Sequence, residues 1–254
     1  MWLGEHEGAE IEILPVDNLG RVLPETLRKA FEKNPDDVAL VTVMWANNEV
    51  GTVQPIAELV KIAHEYKTVF HSDAVQAVGC LEVHFQNTDL DAMTVSGHKV
   101  GGPQGIGALV VKRDIELTPL LHGGGQERDV RSGTLAAPSI AGFAAAITTA
   151  VSQSVSRAAR LSSLRKDLIN RIQEQIPDVV LNGDPENRLP GNAHFSFKGC
   201  EGDALLMLLD AQGIECSTGS ACSAGIPQPS HVLIAMGRDE KTARASLRFS
   251  FGAT

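Results

Sequence analysis

Three strand-length apolar runs, two of them closing directly on ionisable side chains, constrain this chain more than any other feature. Residues 38–44 read VALVTVM. Residues 68–71 run on to Asp73, and residues 91–95 lead at once into Ser96, Gly97, His98 and Lys99. Between the first two runs, Pro55 opens a helix through about Tyr66, with Ile56, Leu59, Val60, Ile62 and Ala63 on one side. Strands alternating with amphipathic helices imply an α/β fold with a mainly parallel sheet. The unbroken run at 38–44 predicts a strand buried on both faces. A further strand is expected at 106–111. Sheets of this kind place ligands beyond the carboxyl ends of their strands. Asp73 and Lys99 are therefore expected to converge there.

The pattern changes in the last hundred residues. Pro138 starts an alanine-rich helix that leads into a second helical stretch through about Ile176. Beyond it, 179–181, 194–197 and 247–250 read as short strands, with helices at 202–211 and 230–236. This predicts a large domain over 1–154 and a smaller α+β domain over 155–254.

Charge and cysteine usage exclude several classes. Lys and Arg total 22 against 31 Asp and Glu, a formal net charge of −9. An acidic chain with no basic stripe is not built for nucleic acid. No apolar run reaches membrane-spanning length, and residues 1–7 lack the basic and apolar regions of a secretory leader. None of the four cysteines forms a C-x-x-C pair. Reduced thiols in a cytoplasmic setting are expected. Cys80, Cys200 and Cys216 read as small buried hydrophobes. Cys222 stands apart, because Ser217, Thr218, Gly219, Ser220, Ala221, Ser223, Ala224 and Gly225 give it the small polar neighbours of an exposed loop. An exposed thiol can ionise and attack sulfur.

The chemistry concentrates in a few segments. Lys99 follows a hydroxyl and an imidazole and precedes the glycine-rich turn 100–105. Ser96 and His98 can donate to phosphate oxygens, glycines admit close backbone approach, and a lysine amine forms a Schiff base with an aldehyde. A dinucleotide loop over 101–107 fails, since a strand-like run follows where a helix should open. Asp73 is either a helix N-cap or a carboxylate for a protonated ring nitrogen, and Gln76 lies close enough in sequence to contact a ring hydroxyl. Arg248 is either a strand-edge charge or a bidentate partner for a substrate carboxylate. The glycine-rich stretch 122–134 is either a surface connection or part of a site.

Together H-x-D-A-x-Q at 71–76, S-G-H-K with its G-P-Q-G-I-G tail at 96–107, H-G-G-G-Q-E-R-x-x-R-S-G-T at 122–134 and S-x-G-S-A-C at 217–222 resemble the cysteine desulfurases of the NifS/IscS type. These are class-V aminotransferase-like enzymes of the fold type I, pyridoxal-phosphate-dependent group. The resemblance covers essentially the whole chain. It implies pyridoxal 5'-phosphate held by Lys99, with Asp73 on the ring nitrogen, Gln76 on the ring oxygen, and Ser96 and His98 on the phosphate. Asn48 would lie near the cofactor hydroxyl and the substrate carboxylate, and Arg248 would clamp that carboxylate. Thr134 would reach the phosphate of a neighbouring subunit, implying a homodimer. Cys222 would take sulfur from L-cysteine as a persulfide, leaving L-alanine. A sulfur-acceptor protein such as an iron–sulfur scaffold would be the next partner, with no nucleic acid and no membrane. Selenocysteine lyase or cysteine sulfinate desulfinase activity on the same scaffold, and a non-catalytic paralogue, are the competing readings. Proteins of this kind carry a further N-terminal part with a phosphate loop and a ring-stacking histidine. The chain is therefore expected to lack that part, and neither His6 nor His64 matches its motif.

Overall fold

The computed structural model describes residues 2–219 and 228–252. A short helix α1 (Trp2–His6) and helix α2 (Pro24–Lys33) precede strand β1 (Leu40–Met44). Helix α3 (Ile56–Glu65) then leads to β2 (Val69–Asp73), β3 (Ala92–Ser96) and β4 (Gly107–Val111). These form one sheet in the order β1-β2-β3-β4, with the first three strands parallel and β4 antiparallel to β3. The α/β architecture with a mainly parallel sheet agrees with the pattern of alternating runs.

Helix α3 forms where the apolar spacing demands it. Ile56, Leu59, Val60, Ile62 and Ala63 are all buried, against Val41, Val43 and Phe70 of the sheet. Leu59 and Phe70 are wholly inaccessible, and each side chain contributes roughly 1.5–3 kcal/mol by leaving water. Phe31 of α2 stacks on Tyr66 with ring centroids 4.3 Å apart.

One expectation fails. β1 is buried on one face only: Val41 and Val43 point into the core, whereas Leu40 and Met44 are 52% and 36% exposed. α2, α3 and Phe143 all supply the core on the Val41 side. An apolar run therefore does not by itself put layers on both sides of a strand.

A long helical pair follows, α4 (Ala137–Ser152) and α5 (Ser154–Gln175). It delivers the chain to a second sheet, antiparallel in the order β5-β6-β7: β5 (Val179–Asn182), β6 (Asn192–Phe197) and β7 (Ser246–Ser250). Between β6 and β7 lie helices α6 (Gly202–Asp210), α7 (His231–Ala235) and α8 (Glu240–Arg244). One face of this sheet is apolar. Ala193, Phe195, Phe197 and Leu247 pack with Ile169 of α5 and with Leu205 and Leu209 of α6. The alternate residues Asn192, His194 and Ser196 are polar, yet they too are buried. Cys200 departs from the expected buried thiol: it is exposed, in the turn after β6, while Cys80 and Cys216 are half-buried. Among the described residues no helix is long and apolar enough to cross a membrane.

Candidate active site

The polar face of the small sheet rests on the turn that follows β1. Asn47 shapes that turn: its Oδ1 accepts the N–H groups of Glu49 and Val50 at 2.9 and 3.0 Å, and Gly51 N donates to Asn47 O at 3.0 Å. Gly51 has φ +81°, and a Cβ there would lie 2.6 Å from Asn192 Oδ1, so only glycine fits. Four groups then cross between the sheets. Asn192 Nδ2 donates to Glu49 O at 2.9 Å, and Leu189 N donates to Gly51 O at 2.8 Å. Arg188 Nη2 donates to Val50 O at 2.6 Å and to Asn182 O at 2.8 Å. Arg248 Nη1 donates to Asn48 O at 2.9 Å, joining residues 200 positions apart in the chain.

The large sheet presents its other candidates at the same strand ends. Met44 pairs with Asp73 and Asp73 pairs with Thr94, so Asp73 and Ser96 share one face of the sheet. Trp45 N donates to Asp73 O at 2.7 Å, which starts the Asn48 turn beside Asp73. Asp73 Oδ1 accepts Val75 N–H at 2.9 Å, fixing the carboxylate across a turn rather than capping a helix. Gln76 is half-buried in the same turn. Ser96 Oγ and His98 Nδ1 are 2.8 Å apart. Lys99 is exposed in the single helical turn His98–Val100, with no ion pair or hydrogen bond among the described residues. Gly102 N donates to Gly97 O at 2.8 Å, folding the glycine-rich turn back on the strand end. Thr134 is exposed in the loop before α4.

Cys222 lies outside the described residues. The described ends of its segment are both tied to the same place. Ser217 exchanges two backbone hydrogen bonds with Arg248, at 2.7 and 3.1 Å, and its Oγ accepts from Arg248 Nη2 at 3.3 Å. Ser230 Oγ donates to Glu49 Oε2 at 2.5 Å, and Glu49 is only 1% exposed.

Burial sets the electrostatics. Burial lowers the pKa of His71, and the Asp73 charge opposes that change. His71 lies 2.7 Å from the hydroxyls of both Thr42 and Thr94, which holds the ring across three strands. Burial pulls Arg188 down to about 10, so it stays cationic near neutrality. His194, buried beside Arg248 and Arg188, is pushed down to about 3 and is neutral there. Cys80 and Cys216 have raised pKa values, chiefly from burial, which disfavours the thiolate at either.

The match to known proteins follows this geometry. The class-V aminotransferase model matches residues 2–253. The chain belongs to the class-V aminotransferase family. Within that family it is 58% identical, over its whole length, to an IscS-like cysteine desulfurase of Mycobacterium tuberculosis, and spans 64% of that protein. It is 45% identical over 98% of its length to the cysteine desulfurase IscS of Dictyoglomus turgidum, spanning 62% of it. Among solved structures it resembles a NifS-like protein of Rickettsia africae with a TM-score of 0.89 at 32% identity, covering all of this chain and 67% of that one. SspA in complex with cysteine matches 97% of this chain and 67% of its own, with a TM-score of 0.80 at 33% identity. The chain thus spans a little under two thirds of these curated relatives.

Sequence reasoning missed Glu49, Arg188, Asn192 and His194. Glu49 directly follows Asn48 in the chain, and its burial had no local signal. The strict polar/apolar alternation of residues 192–197 marked a face that needed polar partners, but it did not name them.

Proposed function

We propose that this chain carries the sulfur-handling core of a cysteine desulfurase, converting L-cysteine to L-alanine and leaving the sulfur as a persulfide on Cys222. The observation that carries the reading is the meeting of Arg248 with Asn48, at the place where both described ends of the Cys222 segment are anchored. The cysteine complex of the similar SspA supports cysteine as the ligand.

The donor set fits pyridoxal 5'-phosphate. Lys99 offers an amine unpaired among the described residues, Asp73 has one carboxylate oxygen outside its turn hydrogen bond, and Ser96 with His98 offers hydroxyl and imidazole beside a tight glycine turn. Lys99 would hold the cofactor, Asp73 would face its ring nitrogen, Gln76 its ring oxygen, and Ser96 and His98 its phosphate. Bound there, the cofactor supplies an electron sink for the charge left when the Cα proton departs.

The residues divide the remaining work. Arg248 grips the substrate carboxylate with a planar fork, and Asn48 flanks it. Lys99 moves the proton at Cα. The Cys222 thiolate attacks the substrate sulfur. An S–S bond forms as the Cβ–S bond breaks, and a proton returned to the substrate carbon releases L-alanine. Thr134, exposed on its loop, would reach the phosphate site of a second copy, making the working unit a homodimer. The boundary near residue 154, between a cofactor-binding part and a Cys222-bearing part, is supported by the separate cores of the two sheets. A reduced cytoplasmic setting and an iron–sulfur scaffold as acceptor complete the reading.

The test measures sulfide and L-alanine release from L-cysteine under thiol reductant, alongside the visible absorbance of bound cofactor. Cys222→Ser should abolish sulfide release and keep the absorbance. Normal turnover by that variant would refute the assignment, and no absorbance from the unsubstituted chain would favour a non-catalytic protein.

A further inference from the structure

The chemistry described so far leaves the buried imidazole of His194 without a task. His194 lies mid-strand in β6 and is 0% exposed. Asn182 of β5 is its partner on one side and Arg248 of β7 on the other, so the three side chains stand in a row on the polar face. Arg248 gives both of its backbone hydrogen bonds to Ser217. It therefore faces His194 as a non-hydrogen-bonded pair, the closer of the two antiparallel arrangements, with Cα atoms about 4.5 Å apart.

The ring's partners fix its proton. Asn182 Nδ2 donates to His194 Nδ1 at 3.2 Å and to Ser196 Oγ at 2.8 Å. An amide N–H donating to Nδ1 favours the neutral tautomer that carries its proton on Nε2. That atom is buried and has no hydrogen-bond partner among the described residues, and the same holds for Arg248 Nε. The charged groups acting on the ring are Arg248 and, from the loop between β5 and β6, Arg188. A protonated imidazole would be a third cation in that space.

We propose that His194 is a positioning residue for Arg248. Its neutral ring backs the guanidinium so that Nη1 stays on Asn48 O and Nη2 on Ser217 Oγ, presenting the fork to the substrate carboxylate. This inference rests on the reading of Arg248 as the carboxylate clamp. A smaller side chain at 194 frees the guanidinium to swing back into the vacated space. A cationic one drives it away from β6.

The probe is 3-mercaptopropionate, which is cysteine without its amine and engages through carboxylate and thiol alone. Calorimetric titration into the full chain with pyridoxal phosphate bound reads its affinity. Arg248→Lys is expected to weaken binding by roughly tenfold or more. His194→Ala should weaken it by roughly three- to tenfold, His194→Lys by more, and His194→Asn should recover most of the loss. Nitrogen NMR of the unsubstituted chain should show a neutral His194 ring protonated at Nε2 from pH 6 to 8. The Arg248 Nε–H resonance should move in His194→Ala.

The failures separate. Unchanged affinity in Arg248→Lys, or no binding by the unsubstituted protein, overturns the carboxylate clamp. Weakened binding in Arg248→Lys with unchanged binding in His194→Ala and His194→Lys overturns the role of His194 and leaves the clamp standing. If the alanine and lysine variants do not fold, a charged His194 ring at pH 6, or an Arg248 Nε–H resonance unmoved in His194→Asn, overturns it instead.

Discussion

Replacing His194 by Asn should remove a specific part of the chain's sensitivity to acid. Burial, reinforced by the nearby Arg248 and Arg188 charges, lowers the folded-state pKa of His194 from 6.5 to about 3. Between those values the unfolded chain binds a proton at residue 194 and the folded chain does not. Stability therefore rises with pH across the window and is lost as pH falls from about 6.5 toward about 3. At pH 5 the folded chain has lost roughly 1.5 pH units of this advantage, at about 1.4 kcal/mol each, or about 2 kcal/mol. Asparagine keeps a neutral amide in the row with Asn182 and Arg248 but cannot titrate. Urea unfolding at pH 7 and pH 5, followed by fluorescence of the buried Trp45, measures the difference. The chain has eight histidines, and comparison with the variant cancels the contributions of the others. The unsubstituted chain should lose about 2 kcal/mol more than His194→Asn on going from pH 7 to pH 5. Equal losses in the two proteins would show that His194 is not buried neutral against two cations, and the electrostatic account of the small sheet would fall.

Three other outcomes are expected. Lys99→Ala should abolish the visible absorbance of added pyridoxal phosphate and lower turnover by roughly 10²–10⁴-fold, read by spectroscopy and sulfide release. Arg188→Met should lower stability by about 2 kcal/mol in urea titration, because Val50 O and Asn182 O lose charge-assisted donors and only part of that loss is offset by sparing the buried cation. Gly183→Ala should cost about 2 kcal/mol or more by the same measurement, since φ is +85° and the new Cβ would lie 2.5 Å from Val50 O.

Some elements were fully legible in the sequence. The apolar spacing of residues 56–63 specified α3 because a helix repeats every 3.6 residues and that stripe has one way to leave water. The order of the sheet-ending motifs likewise specified that Asp73 and Ser96 would close neighbouring strands, since parallel strands of one sheet end at the same edge. The run at 38–44 misled, because composition reports only that a strand tolerates burial, and the packing of helices on the Val41 side decides which face receives it. Cys200 misled for the same reason: a small thiol suits a core, but this one falls in a turn.

The sequence alone determined the alternation of strands and helices, the family, and which residue types stand at each strand end, because these are properties of neighbouring residues. Only the tertiary structure decided that Arg248 would meet Asn48 across 200 residues, and that the polar face of β6 would be buried on the 47–52 turn rather than left in water. It also decided that His194 would be buried near Arg248 and Arg188, which together with burial disfavours its charge. Local pattern cannot reach such matters, since each hydrogen-bond partner and each desolvating neighbour comes from a distant part of the chain. Those partners set the energy of a buried polar group.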